Sequence, residues 1–142
     1  MAPTSTPRRE FRNIHVTQLA SYRLPAAGIV SILHRVSGLL MFLLLPFVIW
    51  LFDKSVTSEI SYESFTGAFV AGIGFVPAWF VKLVVLGLIW SYLHHLVADL
   101  RHLWMDATHS VSLRQGHVSA LVTFVLSILP TLLLGAKLFG VY

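Results

Sequence analysis

The amino-acid sequence predicts an all-α membrane protein with three transmembrane helices, and three observations carry this prediction. Apolar residues make up 56% of the chain and charged residues only 11%, whereas a soluble domain usually carries about 25% charged residues. The apolar residues form three long runs of about 20 residues or more, the length that crosses a bilayer as a helix. The basic residues lie mostly beside these runs, as is typical of membrane proteins.

The first run is followed by a segment of loop-like composition. This run covers about residues 28–52, which corresponds to about 36 Å of helix, and Pro25 suits its first turn. Pro46 lies inside the run and is expected to bend the helix. Residues 53–77 are predicted to form a loop, with a Gly-rich apolar patch at 67–74 on the membrane surface.

The second run covers about residues 78–100, starts after a proline and ends in a dense polar group. A short loop through Arg114 and Gly116 is predicted to follow. The third run covers about residues 118–139, and its proline, Pro130, is expected to break the helix.

The distribution of basic residues predicts the topology. The N-terminal side carries the largest group, which is Arg8, Arg9, Arg12 and Arg23. The segment after the second run adds Arg101 and Arg114, while residues 53–77 hold Lys54 alone against three acids. The positive-inside rule therefore predicts a cytoplasmic N-terminus and second loop. We expect a bacterial inner membrane rather than a mitochondrial one, because the N-terminal segment is short for a transit peptide.

The composition also excludes several classes of protein. The formal net charge is +4, but no segment interleaves basic and aromatic residues in the way that nucleic-acid binding requires. The chain has no cysteine. Disulfides, thiolate-held iron–sulfur clusters and covalently attached c-type haem are therefore excluded within this chain.

Two polar groups interrupt the apolar runs, where a charged side chain costs about 2.5–3.5 kcal/mol at mid-bilayer. The first group lies on the first helix, where Ser31 and Arg35 share a face and His34 lies beside them. The second group lies at the end of the second helix. Its four members follow one another at intervals of four, three and four residues, so they share one face of the helix. Its members are His95, Asp99, His102 and Asp106.

Since these two helices run antiparallel, both groups are predicted at similar depth near the cytoplasmic side, with His34, Arg35 and His95 lining one pocket. A buried imidazole is a common haem-iron ligand, and a guanidinium suits a haem propionate. The residues alone leave open that His95 only bonds a neighbouring helix and that Arg35 only extends to the interface. His94 projects about 100° away from His95, and an interhelical hydrogen bond is expected for it.

Two segments resemble the motifs of the succinate dehydrogenase cytochrome b556 subunit family. The first is Tyr-Arg-Leu-Pro at 22–25, which leads into Ser-Ile-Leu-His-Arg-Val-Ser-Gly at 31–38. The second is His95, followed by Arg-His-Leu at 101–103 and then by Asp106. Both motifs occur in the family's order, and the resemblance covers the whole three-helix layout.

The resemblance implies a role for each residue of the polar groups. His95 is implied to be an axial ligand of the iron of haem b, with ubiquinone as the substrate bound by Ser31 and Arg35. His34 and Arg35 are implied to approach the haem propionates, and His102 joins the predicted cofactor-binding set.

The resemblance also implies partners. A second membrane anchor subunit would supply the other axial histidine, so that haem b is shared within a heterodimeric transmembrane bundle. An iron–sulfur subunit and a flavoprotein subunit would dock on the cytoplasmic side and pass electrons towards quinone. A fumarate reductase anchor, a cofactor-free structural anchor and a small proton-coupled transporter remain as alternatives.

One position departs from the family's pattern. The family usually has glycine four residues after the haem ligand, and this chain has Asp99. The carboxylate is expected either to hydrogen-bond the free ring nitrogen of His95, as carboxylates do for metal-bound histidines, or to crowd the haem. This departure keeps His94 as a second candidate for the axial ligand.

Overall fold

The structure is a computed structural model that describes residues 15, 17, 18, 22–109 and 112–142. Its described part contains four helices and no strand; the helices are α1 (Ala26–Val56), α2 (Glu59–Val70), α3 (Ala78–Thr108) and α4 (Leu113–Leu138). Three of them, α1, α3 and α4, are long and apolar enough to cross a membrane. The predicted all-α architecture with three spans is confirmed. The predicted basic group at Arg8, Arg9 and Arg12 lies outside the described residues.

The first helix is longer than the apolar run that predicts it. Pro25 is its N-cap residue, with extended backbone, and the helix continues through Pro46 to Val56. Its 31 residues correspond to about 46 Å, well beyond the ~30 Å hydrocarbon core of a bilayer. The charged residues Asp53 and Lys54 therefore lie in the last turns of a helix rather than in a loop.

The predicted loop over residues 53–77 is wrong, because it contains α2. A capping box starts this helix: Ser58 Oγ accepts from the Ser61 N–H at 3.2 Å, and Ser61 Oγ lies 2.9 Å from the Ser58 N–H. The usual sequence signal has Glu or Gln at the third helical position, and serine at that position made the signal hard to recognise. Gly72, with φ +99°, then turns the chain towards α3.

The second loop is also shorter than predicted, because both flanking helices extend into it. Helix α3 begins after Pro77, as expected, but continues to Thr108, where His109 adopts a left-handed conformation with φ 53°. Helix α4 then begins at a capping box formed by Ser112 and Gln115. Arg114 and Gly116 are consequently helical.

The predicted break of the third span is wrong as well. Helix α4 runs without interruption through Pro130 to Leu138. Prolines are tolerated inside membrane helices because neighbouring groups and small local adjustments satisfy the freed backbone carbonyl.

Helix α3 packs against both α1 and α4. The interior of the described part is small and partly polar; its fully buried side chains include Val30, Ala98, Ala120, Ser91 and His94. Along α4, a stripe of small and hydroxyl residues four apart is buried, namely Thr123, Ser127, Thr131 and Gly135. Small residues of this kind let membrane helices approach closely. Large apolar side chains point outwards. Only 6% of the residues in the most apolar stretch of α1 are buried within the chain, against 28% in α4.

Candidate cofactor site

The two polar groups predicted on separate helices meet in the structure. The rings of His34 on α1 and His95 on α3 have centroids 4.2 Å apart and are inclined by 39°. His102, two turns further along α3, has its ring centroid 5.7 Å from that of His34. One face of α3 therefore contacts α1 through histidines.

Hydrogen bonds to the α1 backbone orient the His95 ring. Its Nδ1 lies 3.1 Å from the backbone oxygen of His34 and 3.2 Å from Ser37 Oγ. The Ser37 hydroxyl itself donates to the same backbone oxygen, at 2.8 Å. A carbonyl oxygen can only accept, so Nδ1 carries the hydrogen and donates it. The Nε2 lone pair of His95 is then available to a ligand.

Gly38 allows the His95 ring to lie against the α1 backbone. A Cβ atom at this position would come within 2.9 Å of His95 Cε1 and 3.3 Å of its Nδ1. Both Gly38 and the buried Ser37 belong to the motif at 31–38, although no role was predicted for either residue. Their presence in the motif was the only available signal, since their partner is 57 or more residues away along the chain.

Asp99 bridges the two histidines. Its Oδ1 lies 2.8 Å from His34 Nε2, and its Oδ2 lies 3.5 Å from His95 Nε2. The short contact to His34 lacks hydrogen-bond alignment, since the buried His34 Nε2 has no aligned partner among the described residues. The expected bond from Asp99 to the ring nitrogen of His95 that would not hold a metal is not formed: Nδ1 is bonded by the α1 backbone, and the carboxylate lies near Nε2 and closer to His34. About half of the Asp99 side chain is exposed.

The other predicted residues lie around this cluster. Ser31 is half-buried on α1, and Arg35 is exposed. Within the described residues Arg35 forms no ion pair. The structure brings His34 and His95 together as expected, but the Arg35 side chain lies outside their contact.

His94 faces a different helix from His95. It is completely buried between α3 and α4, where its Nδ1 lies 3.2 Å from Ser127 Oγ. The rings of Trp90 and Phe124 flank it at centroid distances of 5.4 Å and 6.1 Å. Arg101 lies on the same side and donates from Nε to Ser119 Oγ at 2.9 Å. The expected interhelical hydrogen bond of His94 is confirmed, and the side chain faces α4 rather than the cluster of His34 and His95.

These features define a helical membrane subunit that carries an imidazole cluster between two of its spans. The chain belongs to the family of succinate dehydrogenase/fumarate reductase transmembrane subunits, whose pattern it matches over residues 9–134.

Comparison with curated proteins gives the same result. The chain is similar to the succinate dehydrogenase cytochrome b556 subunit of Paracoccus denitrificans, with 33% identity over 102 residues that cover 72% of this chain and 73% of the relative. Its identity to the corresponding subunit of Coxiella burnetii is 32% over 117 residues, or 82% of this chain and 89% of the relative. The subunit of Rickettsia felis is 25% identical over 116 residues, which cover 82% of this chain and 85% of the relative. The resemblance inferred from the two motifs is confirmed, and the chain is a transmembrane subunit of the succinate dehydrogenase type.

Proposed function

We propose that this chain is the haem-b- and ubiquinone-binding anchor of a bacterial succinate:quinone oxidoreductase, and that it carries electrons from an iron–sulfur subunit to quinone. The observation that carries the proposal is the orientation of His95. Its Nδ1–H donates to the His34 backbone oxygen, and its Nε2 lone pair is left for a metal. Histidines that bind metals usually have their second ring nitrogen held in this way.

The residues present fit a b-type haem. The relatives are named as cytochrome b556 subunits, and a histidine nitrogen is a common axial ligand of haem iron. The bare backbone at Gly38 supports the ring of His95 from behind. Asp99, whose side chain is half exposed, would rotate outwards from Nε2 to admit the group. His34, Arg35 and His102 would contact the edge of the group, which supplies one-electron chemistry when bound.

Ser31 and Arg35 support a quinone site on the neighbouring part of α1. The two residues are one helical turn apart on the same face. The Ser31 hydroxyl and the Arg35 guanidinium are hydrogen-bond donors, and a quinone carbonyl oxygen is an acceptor. Arg35 is exposed and has no ion pair among the described residues, so its charge is available to stabilise the negative charge that develops on a reduced quinone.

The proposed partners follow from the family and from the exposed surface. A second membrane subunit would supply the other axial histidine and would cover part of the apolar face of α1, of which little is buried within the chain. The iron–sulfur and flavoprotein subunits would dock at the cytoplasmic face of the inner membrane. The chain alone would have no activity towards succinate.

A visible difference spectrum of the purified complex tests the haem ligand. The wild-type complex should give a reduced-minus-oxidised band of a b-type haem, and His95→Ala should lose it because the iron loses its axial nitrogen. His117→Ala is the matched control, since His117 is exposed on α4 and should leave the band unchanged. A band that survives in His95→Ala but disappears in His94→Ala would move the ligand to His94. A wild-type complex without haem would support the cofactor-free anchor instead.

Electron transfer to two different acceptors tests the quinone site. Arg35→Ala and Ser31→Ala should reduce succinate:ubiquinone activity about 10- to 100-fold, the effect of losing a hydrogen bond worth about 1.5–3 kcal/mol. Succinate oxidation with a water-soluble dye should stay at the wild-type rate, because the dye takes electrons before the membrane. Arg114→Ala, a change at an exposed arginine of α4, is the control. Equal losses with both acceptors would assign these residues to assembly rather than to quinone.

The alternative direction, fumarate reduction, is consistent with the family, whose description includes both enzymes. The relatives of highest identity named above are all succinate dehydrogenase subunits, which favours succinate oxidation. Comparing succinate:ubiquinone and quinol:fumarate rates in the same purified complex distinguishes the two.

A further inference from the structure

We propose that the haem-free chain binds one divalent transition-metal ion of the Zn²⁺ class through His34, His95 and Asp99. The donor atoms that these three side chains offer all lie within 4.8 Å of one another. Two imidazole nitrogens and one carboxylate oxygen form a common zinc-ligand set, which leaves a fourth position for water or another ligand.

The distances are close to those that such an ion needs. Zinc–nitrogen and zinc–oxygen bonds of about 2.0–2.2 Å in a tetrahedron place neighbouring ligand atoms about 3.3 Å apart. The carboxylate oxygens lie 2.8 Å from His34 Nε2 and 3.5 Å from His95 Nε2. Both distances lie within about 0.5 Å of that separation, and all three donors lie within 4.8 Å of one another.

Two further observations point to a ligand at this place. His34 Nε2 is buried and has no aligned hydrogen bond among the described residues, and its 2.8 Å contact is with Asp99 Oδ1, itself one of the three proposed ligand atoms. A histidine that binds a metal usually has its other ring nitrogen hydrogen-bonded. In His95 that nitrogen, Nδ1, already donates to the His34 backbone oxygen. The half-exposed Asp99 side chain provides a route of entry from the surface of the bundle.

The zinc site and the proposed haem site exclude each other, because both use Nε2 of His95. A divalent ion would therefore block haem insertion until it is removed. This competition rests on the proposed function, whereas zinc binding to the three side chains does not.

The test uses the full chain, purified in detergent without haem and without a polyhistidine tag, and titrated with Zn²⁺ against a chromogenic zinc chelator. Wild type should bind one Zn²⁺ per chain. His34→Gln and Asp99→Asn should each weaken binding by about tenfold or more, the scale of effect known for groups around metal sites. His117→Gln, at an exposed histidine of α4, should bind as wild type does. Far-UV circular dichroism verifies the helical content of each variant.

X-ray absorption at the zinc edge identifies the ligands directly. It should detect two imidazoles in wild type and one in His34→Gln loaded at higher Zn²⁺ concentration. The site is overturned if wild type binds no Zn²⁺, or if His34→Gln and Asp99→Asn bind it with wild-type affinity.

Haem uptake by the chain together with its second membrane subunit, purified without haem, tests the competition. Added Zn²⁺ should suppress haem uptake in wild type and a chelator should restore it, while Asp99→Asn should take up haem regardless of Zn²⁺. Haem uptake that is insensitive to bound Zn²⁺ overturns the competition. A pair of membrane subunits that takes up no haem even without Zn²⁺ contradicts the proposed function and leaves the zinc result standing.

Discussion

Gly38 controls how closely the backbone of α1 approaches the His95 ring. The ring lies where a Cβ atom would be only 2.9 Å from its Cε1, which is closer than two carbon atoms pack. Its Nδ1 is also held by the His34 backbone oxygen, 3.1 Å away on the same side. A side chain at position 38 would therefore push against the ring at the place where its orientation is set.

Gly38→Ala should displace the His95 ring and destabilise the chain by about 1–3 kcal/mol, the usual cost of overpacking. The haem band of the purified complex should weaken, and the thermal unfolding temperature should fall. Gly87→Ala is the matched control, because nothing lies within 4 Å of a Cβ at that position. It should leave the haem band unchanged and raise stability by up to about 1 kcal/mol. Similar behaviour of the two variants would show that the space at Gly38 is not used by His95.

Between helices, a buried hydrogen bond joins α3 to α4. His94 Nδ1 and Ser127 Oγ lie 3.2 Å apart, and both side chains are completely buried. The Ser127 hydroxyl also donates to the Phe124 backbone oxygen at 3.2 Å, so its oxygen accepts from the histidine. This bond specifies how α4 is rotated against α3, on a face about 100° from the one that carries His95.

A double-mutant cycle with His94→Ala and Ser127→Ala should give a coupling free energy of about 0.6 kcal/mol, the mean for hydrogen bonds between membrane helices. The measurement is reversible unfolding of the four variants in mixed micelles. Each single variant will also lose packing, and the cycle subtracts that contribution. Additive effects of the two substitutions would mean that the contact does not stabilise the interface.

The start of α4 depends on its capping box. Ser112 Oγ accepts from the Gln115 N–H at 3.3 Å, and Gln115 Oε1 accepts from the Ser112 N–H at 3.1 Å. Ser112→Ala should therefore destabilise the first turn by about 1 kcal/mol, seen as faster amide hydrogen exchange over residues 113–116. Ser55→Ala, whose hydroxyl only bonds its own helix at the Phe52 oxygen, should leave exchange in this turn unchanged. Equal exchange in Ser112→Ala and wild type would refute the role of the cap.

For the molecule as a whole, the charge pattern predicts which side of the membrane each loop occupies. Basic residues dominate the N-terminal side, and Arg101 and Arg114 lie in the adjoining end turns of α3 and α4. Acids dominate the segment between α1 and α3. Neither side has a soluble domain in the described part, so orientation depends on these few charges.

Single-cysteine labelling measures this topology without background, because the chain has no cysteine of its own. In intact cells stripped of the outer membrane, a membrane-impermeant maleimide should label Thr57→Cys, between α1 and α2. It should label Ser112→Cys only after the membrane is opened. The reverse pattern would invert the predicted orientation and separate the proposed quinone site from the cytoplasmic subunits.

The all-α class, the three spans and the family could be predicted because they depend on local properties: the length of apolar runs, the charges beside them and two short motifs. The capping box at Ser58 was missed because serine at the third position is a weak signal. The C-terminal end of α3 and the start of α4 were also predicted wrongly. Hydropathy marks where the chain leaves the lipid, and not where the hydrogen-bonded helix ends.

The pairing of His34 with His95, the support from Gly38 and the closeness of Asp99 to His34 depend on the rotation and separation of α1 and α3. Burial of small and polar side chains where α3 meets its neighbours sets both quantities. Helical periodicity describes a face within one helix, but it contains no information on which face of the next helix lies opposite. That is why the members of the site were predictable from the chain, while the contacts between them required the folded bundle.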